Sequence, residues 1–204
     1  MNGIVGGTLG AGAALGGLVV VGVIIAVGLV LLLLFAGMYN GLVRRRVDAD
    51  NGFSQIDVQL KRRYDLIPNL VETVKGYAAH ERGTLEAVIA ARSRAVAVPA
   101  GAVAERAQAE GQLTQALGRL FAVAESYPDL KANANFGALQ EELASTENKI
   151  GFARQHYNDC VGRYEEARQA FPTNLVAAAF NFEKRDYFKV EEAAAREAPK
   201  VSFS

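Results

Sequence analysis

Apolar positions along the chain fall into two regimes. From Leu18 to Phe35 the sequence reads LVVVGVIIAVGLVLLLLF, and with Ala36 to Tyr39 it makes an apolar run of 22 residues. After residue 43 the apolar positions become periodic. Phe53, Ile56, Leu60, Tyr64, Ile67, Val71, Val74 and Ala78 recur at three- and four-residue steps, and Leu85, Val88, Ile89 and Val96 extend the stripe. No useful stretch there alternates with the period of two that a half-buried strand requires. The spacing predicts a first helix over 43–97, ended by Val98-Pro99-Ala100-Gly101, and a second over 102–126, ended near Tyr127-Pro128-Asp129. A third over 134–171 carries a heptad seam. Phe136, Leu143, Ile150, Tyr157, Tyr164 and Phe171 stand seven apart, with Leu139, Thr146, Ala153, Cys160 and Ala167 between them. Phe171-Pro172-Thr173-Asn174 stops it, and Thr173 or Asn174 caps a short last helix through 175–182.

The predicted fold is therefore all-α: one N-terminal transmembrane helix, then an elongated antiparallel helical bundle, coiled-coil-like, with a short C-terminal helix. Its divisions are a Gly-rich apolar leader over 1–17, a transmembrane helix over 18–39 and a helical domain over 40–204. Pro68 lies inside the first helix. Its ring clashes with the Tyr64 carbonyl and its missing N–H leaves that carbonyl unbonded, which predicts a kink at Tyr64, Pro68 and Asn69 and not a reversal. Helix lengths of 55, 25 and 38 residues follow. The second helix is then too short to cover the stripe from Phe53 to Ile67, and an uncovered stripe marks an interaction surface.

Charge sharpens the division. Residues 1–43 carry no charged side chain, and all 44 charges, 22 of each sign, lie in the remaining 161 residues. The 22-residue run spans roughly 33 Å as helix, against a hydrocarbon core of about 30 Å. It is too long for the apolar region of a cleaved signal peptide and lacks that peptide's basic start. Arg44, Arg45 and Arg46 follow it at once, and no Lys or Arg precedes it, so the expected orientation places the N-terminus outside and residues 44–204 in the cytoplasm. The same three arginines are candidates for anionic lipid headgroups. Eleven of the 20 glycines fall in the first 43 residues. Pairs four apart, such as Gly12 and Gly16, suit close backbone contact between spans in lipid.

Little in the chain points to catalysis. One cysteine and two histidines exclude a disulfide framework and leave little for metal or acid–base chemistry. His156 and Cys160 stand four apart on one helical face, but Cys160 falls on the seam, where a small apolar residue belongs. No phosphate-binding glycine motif occurs, and no run of like charge is long enough to bind nucleic acid. Lys61, Arg62 and Arg63, mixed with Asp57 and Asp65, read as a solvated helix face. Phe180, Phe182, Tyr187 and Phe188 are expected to dock on the bundle, with a neighbouring copy as the alternative.

The run from Gln55 to Tyr77, QIDVQLKRRYDLIPNLVETVKGY, resembles the signature of the LemA family. Tyr39-Asn40, Tyr127-Pro128-Asp129-Leu130-Lys131-Ala132-Asn133, Phe171-Pro172-Thr173-Asn174 and Arg196 to Phe203 match it too. The resemblance implies a bacterial inner-membrane protein with one N-terminal span and a cytoplasmic helical domain, no established catalytic activity and no cofactor. With the residue pattern it leads to two expectations. One is a self-assembling, membrane-anchored scaffold with a role in membrane organisation, a homo-oligomer joined through Gly12, Gly16, Phe53, Ile56, Leu60 and Ile67. The other is a tethered adaptor or sensor presenting its bundle to a cytoplasmic protein partner.

Overall fold

The computed structural model describes residues 7–99 and 101–189, with side-chain surroundings from residue 16 onward. Among these residues there are six helices and no strand: α1 (Gly7–Lys75), α2 (Arg82–Ala97), α3 (Val103–Ala124), α4 (Pro128–Lys131), α5 (Ala134–Gln169) and α6 (Thr173–Ala179). The chain forms two compact units. Among the described residues, one is built from those up to 44 with 166–183, the other from 45–165 with 184–189.

The larger unit is a four-helix bundle of α2, α3 and its parts of α1 and α5. Side-chain pairs give the directions. Phe53 meets Tyr157 and Arg62 meets Glu142, so numbers fall along α5 as they rise along α1, and the two are antiparallel. Asp57 pairs with Arg106 and Arg63 with Glu110, so α3 runs parallel to α1. The core is continuous through all four helices, from Ala49 to Val161, and Phe188 closes it. On α5 the predicted seam is inside: Phe136, Leu143, Thr146, Ile150, Ala153, Tyr157, Cys160 and Tyr164 are buried. The seam ends earlier than expected, because α5 stops at Gln169 and Phe171 is exposed. Asn133 starts α5, its Oδ1 accepting from the backbone N–H of Asn135 and Phe136 at 2.9 and 3.1 Å.

Two expectations for the first helix fail together. It does not run to residue 97. It passes unbroken through Pro68 and ends at Lys75, and residues 76–81 turn the chain back into α2. The Ala78 N–H bonds the Val74 carbonyl at 2.8 Å, and the Tyr77 hydroxyl accepts from Asn133 Nδ2 at 2.9 Å, which ties the turn to the start of α5. The reversal supplies what the length comparison found missing. Ile56, Leu60 and Ile67 are fully buried in the chain's own core, and Phe53 is half-buried with its ring edge-on to Tyr157 at 5.6 Å. The stripe proposed for self-association is thus covered within the chain.

In the smaller unit, α1 is continuous across the apolar run, and that run is long and apolar enough to cross a membrane. Its large side chains from Leu18 to Leu34 are exposed, as a lipid-facing helix requires. Leu42, Val176, Ala177 and Phe182 are buried here, and the Tyr39 ring lies 4.9 Å from Phe180 and 5.6 Å from Phe182. Gly16 has nothing within 4 Å of a would-be Cβ, and the surroundings of Gly12 lie outside the described residues.

Candidate functional site

The polar chemistry of the bundle gathers where α1 carries Arg63 and Tyr64. Arg63 is only 2% exposed, contrary to the solvated face its neighbours suggest, while Lys61 and Arg62 do face solvent. Its Nη2 donates to Glu110 on α3, and its Nη1 to Thr114 Oγ1 at 3.1 Å and to Glu147 Oε2 on α5 at 2.5 Å. The Tyr64 hydroxyl donates to the other oxygen of Glu110. A turn earlier, Arg106 Nη1 bonds Asp57 at 2.5 Å, and its Nη2 bonds the Val98 carbonyl at 2.7 Å at the end of α2.

Pro68 has a consequence here. It cannot donate to the Tyr64 carbonyl four residues back. Arg92 of α2 does so instead, its Nε standing 2.8 Å from that oxygen. The orphan acceptor expected at Tyr64 is therefore real, and a side chain from the next helix satisfies it. Pro68 and Asn69 themselves are exposed. Three guanidinium groups (Arg63, Arg92, Arg106) face three carboxylates (Asp57, Glu110, Glu147), so the centre is neutral in sum. Burial pushes the Tyr64 phenol above its ordinary range, against the pull of Arg106 and Arg63. Burial likewise raises the Asp57 carboxyl, and Arg106 draws it back.

Above this centre lies an open cleft of about 990 Å³. Arg63, Glu110 and Glu147 form its floor, α3 and α5 its sides, and residues 184–189 its far wall. That wall is docked on α5. Tyr157 donates to the Asp186 carbonyl at 2.7 Å, and Asn158 exchanges two hydrogen bonds with the backbone of Phe188. Phe182 and Phe188 are buried, as expected for a tail that docks on its own chain, whereas Phe180 stays half exposed. Between α1 and α5 a shallower depression holds Val58 and Phe152, 64% and 73% exposed, beside Gln55, Gln59, Lys149 and His156. Cys160 Sγ lies 3.8 Å from His156 Nε2, but the thiol is buried in the seam. Arg44, Arg45 and Arg46 are exposed, and Arg45 and Arg46 also make contacts within the chain.

The family model described as LemA family matches residues 52–203. The chain belongs to the LemA family. Magnetosome protein MamQ 2 of Paramagnetospirillum magneticum is 26% identical over 179 residues, covering 76% of this LemA-family chain and 66% of the relative. Magnetosome protein MamQ of Magnetospirillum gryphiswaldense is 25% identical with the same coverage. Protein LemA of Metamycoplasma hominis is 25% identical over 172 residues, covering 84% of this chain and 76% of the relative. The chain thus spans just under two thirds of the magnetosome relatives' length. The LemA match takes in Arg63, Tyr64, Glu110 and Glu147, the whole of the buried centre. Sequence reasoning missed the partnership of Arg63 with Glu110 because the two stand 47 residues apart. The available signal was Glu110 itself, an acid on the buried face of α3 between Ala107 and Leu113.

Proposed function

We propose that this protein is a membrane-anchored helical scaffold without catalytic activity. In this reading α1 crosses the bacterial inner membrane once, residues 44–204 face the cytoplasm, and copies associate through the α1–α5 face. The observation that carries it is the exposure of Val58 and Phe152 side by side on a bundle whose other long stripe is buried. Large apolar side chains grouped in this way mark contact surfaces. An isologous contact places the same patch on both copies, and sharing one membrane raises their local concentration. The interior favours a structural role too, since its charged groups are engaged with one another.

The test is particle size after mild detergent extraction. The native chain should run as an oligomer, and Val58→Asp with Phe152→Asp should run as a monomer of unchanged helicity. Packing of the leader predicts that Gly12→Leu with Gly16→Leu also shrinks the particle. A native chain that runs as a monomer would favour the second reading, a tethered adaptor whose open cleft receives a cytoplasmic partner. Orientation is tested with Ser93→Cys, which is exposed on α2. A membrane-impermeant maleimide should reach it only after the inner membrane is breached.

A further inference from the structure

The chain between Arg168 and Glu183 contains 14 consecutive residues, 169–182, without a charge. Elsewhere after residue 43 charges make up more than a quarter of the sequence, so this gap is a local property. It holds Phe171, α6 and Phe180. Val176 and Ala177 of α6 point into the smaller unit and are buried. Leu175 of α6 and Phe171, two residues before the helix begins, are 61% and 80% exposed, and Phe180 just after it is 51% exposed. The outward face of α6 adds Asn174, Ala178 and Ala179, and so it offers water almost nothing to solvate.

Ring contacts fix the level of Phe180 along the anchor. Phe180 lies 4.9 Å from Tyr39 and 5.9 Å from Phe35. Tyr39 ends the 22-residue apolar run and belongs at the membrane–water boundary. Phe35 is four residues earlier, roughly 6 Å further in at 1.5 Å per residue. A ring touching both sits at the hydrocarbon edge or just inside it. The C-terminal end of α6, where Phe180 follows, is therefore level with the lipid-facing surface of the anchor.

We propose that α6 is a second membrane contact: Phe171, Leu175 and Phe180 enter the bilayer interface beside the anchor, on the side where the charged residues begin. The occupant of this face is lipid. An amphipathic segment of this kind buries its apolar side several ångströms into the headgroup–acyl boundary. Its uncharged outward side suits the acyl edge more than acidic headgroups, so insertion should not require anionic lipid. The proposal rests on the anchored reading, and its test separates the two.

The chain contains no Trp, so single substitutions report without background. Full-length protein carrying Phe171→Trp or Leu175→Trp is reconstituted into phosphatidylcholine vesicles, with Leu32→Trp as the anchor reference and Ile89→Trp on exposed α2 as the solvent reference. Lipid brominated near the headgroup end of its acyl chains should quench Phe171→Trp and Leu175→Trp by at least half the fraction lost from Leu32→Trp. Iodide should quench them far less than Ile89→Trp. Quenching by iodide as for Ile89→Trp, with no response to brominated lipid, overturns the proposal and leaves the anchor intact. Protection from both quenchers also overturns it, because protein then covers the face. Loss of lipid quenching at Leu32→Trp would instead sink the anchored reading itself.

Discussion

Arg63 joins three helices through one side chain, and its two acid partners are not equivalent. Glu110 is as buried as Arg63 and also holds the Tyr64 hydroxyl, whereas Glu147 is well exposed. Removing one partner of a buried ion pair strands a charge in the interior and costs about 3–5 kcal/mol. Glu110→Ala should therefore lower the melting temperature of the detergent-solubilised chain by about 10 °C at 2–4 °C per kcal/mol, and Glu147→Ala by only a few degrees. Circular dichroism melts check this. Tyr64 gives a second expectation. Its folded-state pKa is raised, so at alkaline pH the unfolded chain releases that proton first. Stability then falls as pH rises through the ordinary phenol range near 10. Tyr157 behaves alike, its phenol raised by burial. In an absorbance titration at 295 nm, both should ionise later than the exposed tyrosines, and Tyr157→Phe should remove part of that late step. Of these residues, Tyr64 and Pro68 were legible in the sequence, because the missing proline donor is a local property. The burial of Arg63 was not legible, since it depends on residues brought in from α3 and α5.

At the level of elements, the heptad seam of α5 was readable because one long helix presents one face to a core. The turn at 76–81 was not. Val74, Ala78, Leu85 and Val88 keep their spacing across it, so the periodicity shows no break. The turn contains no Pro, Asn or Asp, and Glu81 begins α2 with no side-chain cap. The close contact of α1 with α5 was likewise hidden, because it needs a small residue and not an apolar one. A Cβ on Gly52 would stand 3.2 Å from the Tyr157 Cα. Gly52→Val should push the helices apart and destabilise by about 1–3 kcal/mol. Gly52→Ala should be near neutral, since the crowding offsets the roughly 1 kcal/mol that Ala gains over Gly in a helix. Thermal melts of the two variants separate contact from propensity.

For the whole molecule, every member of the main core cluster comes from residues 49–161 or is Phe188. A chain lacking residues 1–44 should therefore keep a helical circular dichroism spectrum and a cooperative melt in detergent, where the uncharged stretch around α6 finds cover. Loss of cooperativity would show that the bundle depends on the anchor. The all-α class and the single long apolar helix were legible, because charge and periodicity are averages over many residues. Which surfaces remain bare was misjudged, because coverage depends on where one turn falls.

The antiparallel pairing of α1 with α5 has a consequence in time. Arg62 waits for Glu142, 80 residues later, and Arg63 for Glu147, 84 residues later. At a synthesis rate of about 5–20 residues per second, that delay is roughly 4–17 s. During it Ile56, Leu60 and Ile67 have yet to meet α5. The newborn chain therefore passes through an interval in which part of its future core is still bare, and any encounter that depends on that bare face belongs to this interval and not to the folded protein.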